Sequence, residues 1–130
     1  MKKVKFDTTK SIALQKALPS VTLTPEQLEP SKIEGWLVDD HVCIQKPGDG
    51  ASWRVSLYPW GDRISGDFFN KADATEYAKD VSKLGIDWTA VYAPENYVKG
   101  DLYFQALIQL RALRDEYAAG GYFTPRDEPS

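Results

Sequence analysis

Residues 53–84 constrain the fold most, because a strand pattern there runs directly into a helix pattern. If Pro59-Trp60-Gly61-Asp62 is a four-residue turn, Trp53 falls opposite Phe68, Val55 opposite Gly66 and Leu57 opposite Ile64 on one face. The other face then pairs Arg54 with Asp67, Ser56 with Ser65 and Tyr58 with Arg63. Strand side chains alternate with a period of two, so one register that sorts apolar from polar residues this cleanly predicts a hairpin with one buried face. Asn70 can cap the helix that follows, with Asp73 at its third position near the positive end of the helix dipole. Ala74, Tyr77, Ala78, Val81 and Leu84 form one stripe at helical spacing, and Gly85 is a natural stop. The stripe predicts a helix laid across the sheet.

The flanking sequence extends this unit. Val4 and Phe6 alternate with lysines and predict a short edge strand, and Ile12, Ala13, Leu14, Ala17 and Leu18 suit one or two helical turns before Pro19. Thr24-Pro25-Glu26-Gln27 reads as a helix start that Pro30 soon stops. Leu37, Val42 and Ile44 can share a face if Asp39-Asp40 is the two-residue turn of another hairpin, and a loop is expected over 46–50. Ile86, Trp88, Ala90 and Tyr92 alternate as a further strand, 94–100 reads as a loop, and Asp101 can cap a long helix ending at Gly120-Gly121. The expected fold class is α+β: an antiparallel three- to five-stranded sheet covered by a helix, with a long two-sided C-terminal helix. Hydrophobic residues make up 42% of the 130, enough for one core, so 1–123 is expected to be a single domain and 124–130 a flexible tail.

No apolar run approaches the length of a membrane span, and the lysine-rich start lacks the apolar stretch of a secretory signal. Cys43 is the only cysteine, which excludes an internal disulfide; together these features lead to an expectation of a cytoplasmic protein. Net charge is −3, and because residues 1–16 hold five lysines against one aspartate, the remaining chain is acidic. Sequence-independent nucleic-acid binding needs clustered cations, so the balance disfavours it for the body of the protein.

The last helix has two apolar stripes. Leu102, Tyr103, Ala106, Leu107, Leu110, Leu113 and Tyr117 form the main face, while Phe104, Ile108, Ala112 and Ala119 line nearly the opposite side. A helix exposed on one side is normally polar there. Either the N-terminal segment carrying Ile12, Leu14 and Leu18 covers the second stripe, or Phe104, Ile108 and Ala112 meet a protein partner or a second copy. Trp60 at the hairpin tip is a further candidate contact, unless it folds back on the sheet. Asp73, Glu76 and Asp80 form an acidic ledge, either a solvated face or a contact for a basic protein.

The outer face of the hairpin offers Arg54, Ser56, Tyr58 and Arg63, and basic residues beside aromatics can read nucleic acid. Trp53-Arg54-Val55, Arg63, residues 68–71 and Ala74 with its helix resemble the sheet-and-helix unit of the arm-DNA-binding domains of phage-type integrases, over roughly residues 41–84. The resemblance implies that Arg54, Ser56, Tyr58 and Arg63 would enter the DNA major groove. Asp62 and Asp67 stand among those residues, against that pattern, and Arg54 can instead pair with Asp67 while Arg63 lies over Tyr58.

Catalysis has little material. His41 is the only histidine, and with Cys43 two residues on it falls short of the three or four ligands of a zinc site. The expected roles are a polar residue flanking a turn and a small buried one. Asp39 and Asp40 are adjacent turn residues rather than an acid and base in separate environments. Gly48-Asp49-Gly50 lacks the Gly-Lys-Ser/Thr of a phosphate loop. The sequence thus leads to a non-catalytic protein-binding or self-associating module with no cofactor or metal. The alternatives are a nucleic-acid-binding domain using the hairpin, or an enzyme with no recognisable site.

Overall fold

The computed structural model describes residues 1–7, 24, 32–46 and 52–124. Among them, β1 (Lys2–Asp7), β2 (Lys32–Leu37), β3 (Val42–Gln45) and β4 (Arg54–Leu57) form one antiparallel sheet in the order β1-β2-β3-β4. The helices α1 (Lys71–Lys83), α2 (Trp88–Tyr92), α3 (Pro94–Lys99) and α4 (Asp101–Ala119) follow, so the class is α+β with a long final helix. The lysine-alternating strand lies at the sheet edge, with Val4 opposite Gly35 and Phe6 opposite Ile33. The helical turns expected around 12–18 and 25–27, and the loop over 47–50, lie outside the described residues.

Both hairpin registers depart from expectation, with opposite consequences. Between β2 and β3, Leu37 pairs with Cys43 and Trp36 with Ile44, and Val38 N–H donates to the Val42 carbonyl at 2.8 Å. The turn therefore holds Asp39, Asp40 and His41 rather than two residues. Asp39 Oδ1 accepts from the backbone N–H groups of both His41 and Val42, each at 2.8 Å, and this Asx-type cap admits the third residue. A one-residue slip moves side chains to the other face. Leu37 consequently lies with Cys43, not with Val42 and Ile44.

In the second hairpin, Trp53 pairs with Phe68 as expected, but nearer the tip Ser56 pairs with Arg63. The returning arm thus accommodates two extra residues, and Tyr58 no longer faces Arg63. The Ser65 hydroxyl accepts from Val55 N–H at 2.9 Å, in place of a backbone carbonyl. A two-residue shift preserves the faces, so Val55, Leu57, Ile64 and Phe68 still all point into the core.

The core lies between the sheet and α1. Val42, Ile44, Val55 and Leu57 from the strands meet Ala74, Tyr77, Ala78 and Val81 from the helix, all buried. Asn70 caps α1 by accepting from Asp73 N–H at 2.9 Å, and Gly85 follows the helix in the left-handed conformation at φ 68°.

The strand expected over 86–92 is instead helical. Asp87 Oδ1 accepts from Ala90 N–H at 3.1 Å, and the cap turns Trp88, Val91 and Tyr92 onto one buried side. That spacing of three and four outweighs the alternation of Ile86, Trp88, Ala90 and Tyr92. The stretch expected as a loop contains α3, with Pro94 at its first turn and Gly100 closing it at φ 78°. Gly100, rather than Asp101, is the N-cap of α4. Thr124, expected in the flexible tail, is tied down: Phe123 bridges to Phe68, and Thr124 N–H donates to the Asp67 carbonyl at 2.6 Å.

Candidate functional site

α4 packs against α1, α2 and α3 along a narrow strip. Ala106 and Leu110 are buried there, with Tyr103, Leu113 and Tyr117 half-buried beside them. The Tyr117 hydroxyl donates to Asp80 at 2.6 Å and fixes the far end of α4 to α1. The second stripe points outwards: Phe104 is 64% exposed and Ile108 55%, and Ala112 and Ala119 are exposed as well. Leu107, expected on the buried face, is 43% exposed, and Leu102 is also exposed. The contacting strip is narrower than the main apolar stripe, so part of that stripe joins the outer face.

An open cleft of about 750 Å³ flanks α4 on the side of the returning hairpin arm, and Ile64, Tyr92, Leu107 and Ile108 are among its lining residues. Arg63, Asp67, Arg111 and Arg114 add charge to its walls. The Asp67 carboxylate takes two guanidinium groups on one oxygen, from Arg54 Nε at 3.0 Å and Arg63 Nη2 at 2.8 Å. Arg63 Nε also donates to the Ser65 carbonyl at 2.9 Å, which pins the bulged arm. Burial, and then the neighbouring Asp62 carboxylate to which its hydroxyl donates, hold the Tyr92 phenol far above the usual tyrosine range. The cleft therefore brings Phe104 and Ile108 beside Arg63, residues that the sequence offered for two different functions.

The other candidates lie elsewhere. Trp60 is half-buried and stacks on Tyr92, with ring centroids 4.2 Å apart and planes 8° from parallel, while His41 covers it at 5.1 Å. The hairpin tip is folded onto α2 rather than held out as a free aromatic. Of the proposed nucleic-acid face, Arg54 and Arg63 meet at Asp67, and Ser56 is fully buried with its hydroxyl donating to Gln45 Oε1 at 3.0 Å. Tyr58 sets its ring edge-on to Phe6 at 4.7 Å. Sequence reasoning missed Arg111 as a neighbour of the outer stripe; its spacing three residues after Ile108 was the available signal.

His41 works as a structural connector. Its Nδ1 lies 3.0 Å from the Tyr58 carbonyl oxygen, which can only accept, so Nδ1 donates there, while Nε2 lies 3.1 Å from the Thr89 hydroxyl. Cys43 is fully buried, and burial pushes its thiol up to about 11, away from nucleophilic use at neutral pH. Asp39 also accepts from the Ser82 hydroxyl, tying the first turn to α1, and both Asp39 and Asp40 are exposed. On the acidic ledge, Glu76 and Asp80 pair with Lys79 and Lys83, each at 3.7 Å. Among the described residues no three His, Cys, Asp or Glu side chains converge as metal ligands would, and no helix is long and apolar enough to cross a membrane. Compared with protein-family models, with curated proteins and with solved structures, the chain finds no match.

Proposed function

We propose that this chain is a non-catalytic binding module whose contact surface is the outer face of α4, centred on Phe104 and Ile108. The observation that carries the reading is the exposure of Phe104, Leu107 and Ile108 in one patch on a 19-residue helix whose opposite side is already packed. Fully burying a Phe, Leu or Ile side chain stabilises by about 1.5–3 kcal/mol each, so a partner that covers this patch gains several kcal/mol from it. Large contiguous apolar surface on a helix marks a contact for another macromolecule. Ala112 adds a small side chain over which a partner can approach closely. The hairpin's outer residues offer less, because both arginines are already engaged by Asp67.

The test compares the native chain with a Phe104→Glu, Ile108→Glu double variant. Each is immobilised for capture from host lysate and measured by light scattering for self-association. Both changes are at exposed positions, so thermal unfolding is expected to stay within a few degrees of native, while the captured partner or the self-association disappears. A double variant that keeps every association of the native chain would remove α4 as the contact surface.

A further inference from the structure

The outer face of α4 carries an order of residues that selects its own occupant. Asp101, Phe104, Ile108, Arg111 and Asp115 recur at steps of three and four, the spacing of a two-helix seam, and all five are exposed. Asp101 and Arg111 form no ion pair among the described residues. We propose that this seam binds the same seam of a second copy of this chain, with the two helices antiparallel and Asp101 facing Arg111 of the second copy. The proposal rests on the binding face argued above and names its partner.

Charge and apolar character together select one register. With the two-fold axis passing at the level of Ala106, Phe104 meets Ile108 of the second copy and Ile108 meets Phe104. Those two apolar layers are flanked at either end by an Asp101–Arg111 pair. Sliding the helices to the next seam position places Phe104 against Asp115 and Ile108 against Arg111, which buries charge against hydrocarbon without a partner. Turning them parallel sets each Asp101 against Asp101 and each Arg111 against Arg111, so like charges face each other. Leu107, beside the seam, meets its own copy near the axis in the antiparallel arrangement and adds apolar area. The seam from Asp101 to Arg111 spans about 15 Å of helix. A contact of that size falls in the weak, transient class, so the dimer is expected to dissociate in the micromolar range.

Sedimentation equilibrium of the full chain from about 5 to 500 µM, a range bracketing that affinity, tests the idea. The expected result is a rise from one chain mass towards two. Asp101→Arg and Arg111→Asp should each weaken self-association by roughly tenfold, since each sets like charges opposite one another. Mixing those two single variants should restore association, because each then offers the other its complement, and the two reversals in one chain should restore it likewise. Circular dichroism of each variant checks that its helix content is native. A native chain that stays at one chain mass throughout overturns the second copy as occupant. In that case, capture of a different protein that depends on Phe104 leaves the binding face standing, whereas no Phe104-dependent association of any kind sinks both. A dimer indifferent to the reversals, or a mixture that fails to recover, overturns the register.

Discussion

Gly35 sits in β2 where a side chain has nowhere to go. A Cβ at that position would stand 2.1 Å from the Ile44 carbonyl oxygen and 2.9 Å from Cys43 Sγ. The oxygen belongs to the backbone of the adjoining strand, so it cannot move aside as the end of a flexible side chain could. Gly35→Ala is therefore expected to destabilise the protein by roughly 1–3 kcal/mol, read as a lower urea midpoint at unchanged slope. An unaltered midpoint would mean that β2 and β3 are not paired this closely. The demand for glycine arises across the sheet, and no pattern around position 35 announces it. Asn70 and Gly85 were legible for the opposite reason: each acts on backbone within one helical turn, so its chemistry is written beside it. Trp60 again depended on distance, since its place is decided by Tyr92 and His41.

Among the elements, α1 and the core side of β4 could be read from spacing, because their apolar stripes exceed what any competing pattern offers. The β2–β3 turn could not, since the Asp39 carboxylate takes two amides and lengthens the loop by one residue. α2 is the clearest conflict between two periodicities in one segment. Alternation favours a strand over 86–92, yet the Asp87 cap and the burial of Trp88, Val91 and Tyr92 make a helix. Removing the cap by Asp87→Ala is expected to cost about 1 kcal/mol and to speed amide exchange at Ala90 while α1 remains protected. Unchanged exchange at Ala90 would show that packing alone holds α2. The two stripes of α4 were likewise visible in the sequence, but which side would stay open was not, because that depends on how α1, α2 and α3 dock against it.

At the scale of the whole molecule, the sheet and helices enclose ionisable groups in their neutral forms, and that makes stability depend on pH at the alkaline end. The Cys43 thiol is pushed up to about 11 from an ordinary value of 9.0 by burial. Burial also raises the Tyr77 and Tyr92 phenols beyond the usual tyrosine range. Below about pH 9 the thiol is protonated in both folded and unfolded chains, so its contribution is complete. As pH rises above that value, the unfolded chain loses the proton while the folded chain keeps it, and the equilibrium moves towards unfolding. The loss attributable to Cys43 reaches roughly 2–3 kcal/mol by pH 11, where the folded thiol also begins to ionise. From about pH 10 upwards the two phenols add a loss of the same sign, since an exposed tyrosine ionises there and these do not. Urea midpoints measured at intervals from pH 8 to 11 should therefore fall, with Cys43→Ala less stable than native at pH 8 but losing less between pH 9 and 10. Parallel curves for the two proteins over that interval would mean that the thiol of the folded chain titrates as it does in water. That result would open the Cys43 side of the sheet to solvent.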